Sequence, residues 1–445
     1  MIKKLCLIAA LIAGASGGRF FLTNQSSVKS NSEIYRINSE IFADTLLIPD
    51  PQIESIYLYL VFPSGEAVNP FDEGLAHYVE HLTWLSAFGS ADDRKKRHSN
   101  AWTGMFSTGY WQVTIIDKLQ SALQTLISVS MPLSLDAAFA LEERNIILRE
   151  YDYRVAERPM YPVYQDMNKI LYGDGTMARS VIGEPSTIAA YALDTARKLH
   201  QKSHVLHKAS LLAYGNVNRA QLRAALDTLP TEERAGPEIN SVAHGLVEDG
   251  VVEDRDSLSM VKLSEDKLLY GKVVPFDYCD DPVHCALLRQ IVEKALKSTL
   301  PGGLAGPLRF DQFVARSFSF DIWFVGNTHV EISFTAHPDD GVSLEDLEVI
   351  FQNNFQTTLE NGLPDETFER IRSRLKDKLN DILGLDRPSH NRKIALGQLR
   401  SAQPIFTLLD QIHAVEHVRL EDVNQFLRSL RASGREVTRL VTAER

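Results

Sequence analysis

Gly74-Leu75-Ala76-His77-Tyr78-Val79-Glu80-His81-Leu82 is the stretch on which the reading of this chain turns. From Asp72 to Ala87 the apolar residues Leu75, Val79, Leu82 and Leu85 recur at helical spacing, which predicts a helix. His77 and His81 are four residues apart and share one face of it, a turn from each other, which is chelating geometry for a metal ion. Glu80 lies in the same neighbourhood without being forced onto the ion, placed to serve a water held there. The competing reading is plain. A buried helix histidine is more often a hydrogen-bonded core residue, and a His-Glu-His cluster can be a solvated face.

A third ligand has a natural source in Leu141 to Glu150, where Glu143 and Glu150 are seven residues apart and so share a face. Two imidazoles and one carboxylate leave a fourth position open for water, the hydrolytic form of a zinc site.

Working outward, Ser55 to Phe62 alternates as a strand, and Ala101 to Tyr110 with Trp111 to Ile116 reads as a strand pair around a Thr108-Gly109 turn. Helices are expected over Leu119 to Val129 and Leu135 to Tyr153. A second round repeats the order: strand Leu268 to Phe276, helix Pro282 to Lys297, strands Phe318 to Phe324 and His329 to Ala336, helices Leu344 to Glu360 and Asp365 to Leu383. The repeat predicts an α+β protein of two homologous domains, each a mostly antiparallel sheet covered by helices and related by internal duplication. The expected layout is a signal peptide over 1–15, an N-terminal domain over 33–230, an acidic Gly/Pro-bearing linker over 231–262, and a C-terminal domain over 263–445 without a metal site.

The two rounds differ where chemistry would sit. Laying Val283 to Leu288 over Ala76 to His81 keeps a histidine at His284 but puts Leu287 and Leu288 opposite Glu80 and His81. Laying Phe368 over Phe139 puts Arg372 opposite Glu143 and Leu379 opposite Glu150. Leucine satisfies the same packing, so burying Glu80, His81 and Glu150 costs free energy unless metal or hydrogen bonds offset it.

The 445 residues carry 47 Lys and Arg against 58 Asp and Glu, a formal charge of −11, with the composition of an ordinary globular chain. Such an acidic balance argues against nucleic acid as a partner. Met1-Ile2-Lys3-Lys4, the apolar run Leu5 to Ile12 and Ala13-Gly14-Ala15 have the form of a cleaved export signal. Its apolar run is too short for a stable membrane anchor. Export places the chain in the periplasm or outside the cell and allows Cys279 and Cys285 to pair, with Cys279 on a loop.

The motif helix, Asn100-Ala101-Trp102-Thr103 and Glu143 to Glu150 together resemble the pitrilysin/insulinase family of inverted-zincin (H-x-x-E-H) metallopeptidases. Ile182 to Ile188 and Leu211 to Val217 are similar to weaker landmarks of the same family. The length and two-round layout resemble its short-chain branch, with the mitochondrial processing peptidase subunits and bacterial relatives. That resemblance implies one Zn2+ per chain on His77, His81 and Glu150, with Glu80 as general base and Glu143 in support. It also implies that Asn100 and Ala101 hold extended peptide substrates on an edge strand.

Active members carry an Arg and a Tyr on the segment resembling Pro307 to Phe320. Here only Arg309 and Arg316 remain as candidates, so either the chain has rearranged this element or, in the homo- or heterodimer that the resemblance implies, a homologous subunit supplies the pair. A non-catalytic or assembly subunit is the alternative. Arg94 to His98 reads as a solvated basic loop, Trp102, Phe106, Tyr110 and Trp111 as core or channel lining, and His200, His204 and His207 as core or a second metal site.

Overall fold

The computed structural model describes residues 34–89, 98–230, 245–260, 263–277, 280–299, 303–385 and 387–444. The export signal, Cys279 and Arg94 to Arg97 lie outside them. In chain order the elements are β1 (Tyr35–Arg36), β2 (Asp44–Pro49), β3 (Ile56–Phe62), α1 (Leu75–Phe88), β4 (Ser99–Thr103), β5 (Thr108–Thr114), α2 (Leu119–Ile127), α3 (Ala137–Tyr151), α4 (Tyr161–Tyr172), α5 (Pro185–Ala190), α6 (Leu193–Ser203), β6 (Ser210–Gly215) and α7 (Arg219–Leu226). There follow β7 (Val252–Met260), β8 (Lys267–Pro275), α8 (Pro282–Leu296), β9 (Ala315–Val325), β10 (His329–Pro338), α9 (Leu344–Asn361), α10 (Asp365–Leu385), α11 (Arg387–Arg400), α12 (Leu408–His417), α13 (Leu420–Ser429) and β11 (Arg435–Ala443).

Two sheets carry the α+β fold. The first runs β1-β2-β6-β3-β5-β4 and the second β7-β11-β8-β10-β9. Among the described residues only β2 with β6 and β11 with β7 are parallel, and every other pair is antiparallel. One face of the first sheet packs under α1 and α2 through Leu58, Leu60, Phe62, Phe88 and Leu123. A larger core, including Phe320, Phe334, Phe351 and Phe355, fills the second half. Each fully buried Leu or Phe there contributes about 1.5–3 kcal/mol of transfer free energy.

Two expectations are corrected. The hairpin turn falls at Gly104 to Ser107, closed by Gly104 N donating to Ser107 O at 2.9 Å, and not at Thr108-Gly109. Gly109 is the second residue of β5, and the Trp102 ring covers it: a Cβ there would stand 2.1 Å from the indole. The edge strand is therefore Ser99–Thr103, shorter than the run from Ala101 to Tyr110. Part of the expected linker is also structured, since Val252–Met260 pairs along the whole of β11 as an edge strand. Its polarity suits an exposed edge, and polarity is what suggested a linker.

Each half also lends a helix to the other half's sheet. Helix α4, with Met160 at its N-terminal cap, sets Met160, Val163, Met167 and Leu171 against Leu269, Val273, Val437 and Val441 of the second sheet. Helix α11 sets Ala395, Leu396 and Leu399 against Leu46, Ile48, Tyr59 and Leu212 on the remaining face of the first. In the second half, α8 and α10 pack together, and Leu287, Leu288 and Leu379 are buried there as apolar core. Cys285 is buried and disulfide-bonded.

Candidate metal centre

Helix α1 begins at Gly74, whose φ of 77° suits a residue without Cβ, and stops at Gly89. Nine of its residues are buried, among them His77, Glu80 and Thr83, so it runs through the interior with its polar groups enclosed. Helix α3 starts at Asp136, whose carboxylate accepts from the backbone N–H of Ala138 and Phe139. Tyr78 Oη donates to Ala140 O at 2.8 Å and ties α1 to α3, which fixes their relative register.

That register brings one donor atom each from His77, His81 and Glu150 to within 4.8 Å of one another. The two imidazoles meet edge to face with centroids 4.7 Å apart. His81 Nε2 is 3.5 Å from Glu150 Oε2, and its Nδ1 is 3.0 Å from Glu143 Oε2. Arg154 reaches the far oxygen of Glu150 at 2.8 Å. Glu80 is 5% exposed, and Thr103 Oγ1 donates to its Oε2 at 2.7 Å.

The electrostatics of the cluster suit a cation. Burial, helped by the neighbouring His81, holds the His77 pKa down at about 3, so this imidazole is neutral and free to ligate. Its Nδ1 is buried without a hydrogen-bond partner. Burial also opposes a charge on His81, but Glu143, Glu150 and Glu80 outweigh it and push the pKa up to about 9. Burial opposes ionisation of Glu150 too, yet the two imidazoles and Arg154 bring it down to about 2. Three carboxylates thus converge on one imidazole, a concentration of negative charge that invites a positive ion. Glu143 on the rear nitrogen of His81 is the usual support for a histidine ligand. The residues fit zinc: two nitrogens and an oxygen, a donor set that leaves one of four tetrahedral positions to a further donor.

The other expected sites resolve differently. Asn100 is exposed on β4, where its Oδ1 accepts from Ala101 N at 2.9 Å. His200 and His204 are buried and occupied, His200 with Val129 O, His204 with Tyr110 Oη and Ser203 Oγ, each at 2.8 Å, while His207 lies on a separate turn. His200 and His204 are core residues, and His207 is exposed. Arg316 pairs with Glu265 at 3.3 Å and Arg309 lies 5.7 Å from the Phe310 ring, both within the second half.

No family model matches the chain. A zinc protease of Rickettsia bellii (strain RML369-C), otherwise uncharacterized, is 24% identical over 184 residues, 39% of this chain and 43% of that protein. The mitochondrial-processing peptidase subunit beta of Saccharomyces cerevisiae is 22% identical over 215 residues, 46% of this chain and 45% of that one. The matched stretches thus span less than half of either relative. The first half of the periplasmic protease PqqL from Escherichia coli superposes with a TM-score of 0.74 at 13% identity, covering 94% of this chain and 93% of that one. Pitrilysin gives 0.72 at 18% identity over 94% of this chain and 46% of its own, and an inactive M16 peptidase domain from Pseudomonas fluorescens gives 0.69 at 16% over 93% and 98%.

The chain has the M16 peptidase fold. The resemblance carried by the motif is therefore borne out at the level of relatives and fold. Both active and inactive proteins share this fold, so the M16 likeness leaves activity to the residues of the site. Thr103 was quoted within the Asn-Ala-x-Thr strand without a role, and the structure places it on the Glu80 carboxylate. Strand alternation contained that signal: Thr103 and Ala101 share the face toward α1, while Asn100 and Trp102 share the other.

Proposed function

We propose that the chain is a zinc-dependent endopeptidase acting on extended or unfolded peptides in an exported compartment, periplasmic or secreted. The observation that carries this reading is the convergence of His77, His81 and Glu150 beside the buried carboxylate of Glu80 and next to a free sheet edge. His77, His81 and Glu150 would hold the ion. Zinc, when bound there, supplies a Lewis acid that acidifies water and polarises a peptide carbonyl.

The remaining work belongs to side chains and backbone. Burial raises the proton affinity of Glu80, which suits a base that takes a proton from the attacking water and returns it to the departing amine. Thr103 fixes which oxygen faces the cluster. Glu143 keeps the His81 ring in one orientation. Substrate would lie along β4. The bonds Gly104 N to Ser107 O and Val113 N to His98 O set the alternation, so Ser99, Ala101 and Thr103 direct their N–H and C=O groups away from β5. A peptide can add to that edge as a further strand only if it is extended. Until then Asn100 Oδ1 holds the outward N–H of Ala101, and an incoming carbonyl must replace it.

The chain lacks a recognisable Arg and Tyr on the segment from Pro307 to Phe320. A different homologous subunit, in a heterodimer, would supply them, since a second copy of this chain lacks them too, and a non-catalytic assembly role is the second reading, favoured by the inactive M16 domain of like fold. Glu80→Gln separates the two. The wild type should cleave an unfolded protein substrate, alone or with its partner, and lose activity to a chelator. Glu80→Gln should lower the rate by about 10²–10⁴-fold with zinc content by elemental analysis unchanged. A zinc-loaded wild type inert toward every unfolded substrate, with and without a homologous subunit, would leave the assembly role.

A further inference from the structure

Helix α3 does not stop at the metal cluster. After Tyr151 it widens into a π turn, Asp152–Ala156, closed by Glu157 N donating to Asp152 O at 3.2 Å. Such turns are rare and often sit at functional sites. Val155 is buried and anchors this one, which leaves its neighbour Arg154 at the rim with a side chain 59% exposed. The guanidinium is committed all the same. Its Nη1 lies 2.8 Å from Glu150 Oε1, and among the described residues Glu150 is the one carboxylate within ion-pair distance of it.

A surface ion pair four residues apart on a helix contributes little to stability. This pair differs at its inner end. The Glu150 side chain is 16% exposed, and its other oxygen, Oε2, faces His81 Nε2 at 3.5 Å. Nε2 is the ring nitrogen left for a metal, because Glu143 occupies Nδ1. The carboxylate is therefore divided, Oε2 toward the ligand cluster and Oε1 toward the guanidinium. The overlay of the two halves that puts Leu379 opposite Glu150 also puts Leu383 opposite Arg154, so where the carboxylate is absent its cation is absent too.

The division decides how many coordination positions Glu150 can take. A tetrahedral zinc held by two imidazoles has two positions left, and a carboxylate bound through both oxygens can fill them. Bound through one oxygen, it leaves a corner for solvent or a substrate carbonyl. We propose that Arg154 is a positioning residue that holds Oε1 away from the ion, so that Glu150 ligates through Oε2 alone and the fourth corner stays open. This rests on the reading of His77, His81 and Glu150 as zinc ligands, and it assigns Arg154 an effect through Glu150 and not on substrate.

The test titrates imidazole into the Co2+-loaded full chain and follows the visible absorption, which reports coordination geometry. Above its own pKa imidazole is neutral, so removal of a cation does not by itself change its affinity. In the wild type it should enter the open corner and alter the spectrum. In Arg154→Met, with Co2+ content by elemental analysis and Tm both unchanged, imidazole affinity should fall by about tenfold or more. Arg154→Lys, which keeps a donor for Oε1, should recover part of the loss. In cleavage assays of the zinc-loaded chain, with the homologous subunit if hydrolysis requires it, Arg154→Met should lower kcat by about 10–100-fold with KM little changed. Equal imidazole affinity in Arg154→Met and wild type overturns the inference while the peptidase reading stands. An Arg154-dependent imidazole site on a chain that cleaves nothing supports the inference and sinks the peptidase. A wild type that takes up neither Co2+ nor zinc sinks both.

Discussion

His81 carries a carboxylate on each ring nitrogen, and the one at Nδ1, from Glu143, cannot reach a metal through the ring. Its effect has to pass through His81, by fixing the tautomer and raising ligand basicity. Glu143→Gln should therefore cost about 10–100-fold in metal affinity or activity, read as a shift in competition against a chelator, with Glu80 unaffected. The spacings His77 to His81 and Glu143 to Glu150 were visible in the sequence because helix geometry converts i,i+4 and i,i+7 into a shared face. Thr103 on Glu80 was not, because it joins a strand to a helix and depends on strand parity. Glu66 escaped notice for a similar reason. It lies at 0% exposure with neither oxygen in a close hydrogen bond and Arg179 3.8 Å away, and burial, opposed only in part by the nearby Gly74, Arg179 and Asn69, raises its pKa to about 8. A carboxyl raised in the folded state stabilises below its unfolded value near 4.5, and that stability is lost as pH climbs toward 8. Glu66→Gln should leave Tm unchanged near pH 4.5 and raise it by several degrees at pH 8, a gain on the order of a few kcal/mol. A Tm difference independent of pH would contradict this.

At the scale of elements, strands and helices follow their periodicity, and the errors came from glycine and polarity. Gly109 reads as a turn, but it is a seat for Trp102, and no local pattern separates the two uses. The acidic, serine-containing run of β7 reads as linker because an edge strand exposed on one side needs no apolar stripe. Gly74 is another such case, a glycine that falls inside the helix expected from Asp72 and that the structure places at its N-terminal cap. Besides its left-handed φ, a Cβ there would stand 2.6 Å from Gly183 Cα and 2.2 Å from Tyr191 Oη, which itself donates to Glu73 O at 2.7 Å. Gly74→Ala must pay about 1–2 kcal/mol for the backbone and about 1–3 kcal/mol for overpacking. The expected result is a clear drop in Tm and, because the strain falls at the start of α1, weaker zinc retention at temperatures where the fold persists. A variant as stable as wild type would show that the 74 and 183 loops part easily.

For the molecule as a whole, the duplication predicted two similar halves, and the exchange of helices is what makes them one. Nothing in a repeat reveals that α4 will pack on the second sheet and α11 on the first, because both stripes are equally apolar whichever sheet they cover. Arg439 reinforces the exchange: buried on β11, it binds Asp166 of α4 at 2.7 Å as well as Asp254. Arg435 Nε donates to Ile170 O at 2.7 Å, and Tyr172 Oη to Glu331. If these contacts couple the halves, damage confined to one must lower the stability of the other. Of the four tryptophans only Trp323 lies in the second half, so in a Trp323→Phe background emission reports on Trp84, Trp102 and Trp111 alone. Leu347 is fully buried in the second core, away from the first sheet, and Leu347→Ala in that background should remove about 2–5 kcal/mol. The denaturant midpoint by tryptophan emission should then fall together with the midpoint by far-ultraviolet circular dichroism, as one cooperative unit requires. An emission midpoint that stays in place while the dichroism splits into two steps would mean that the exchanged helices decorate two independent domains, and the metal centre would then owe its stability to the first half alone.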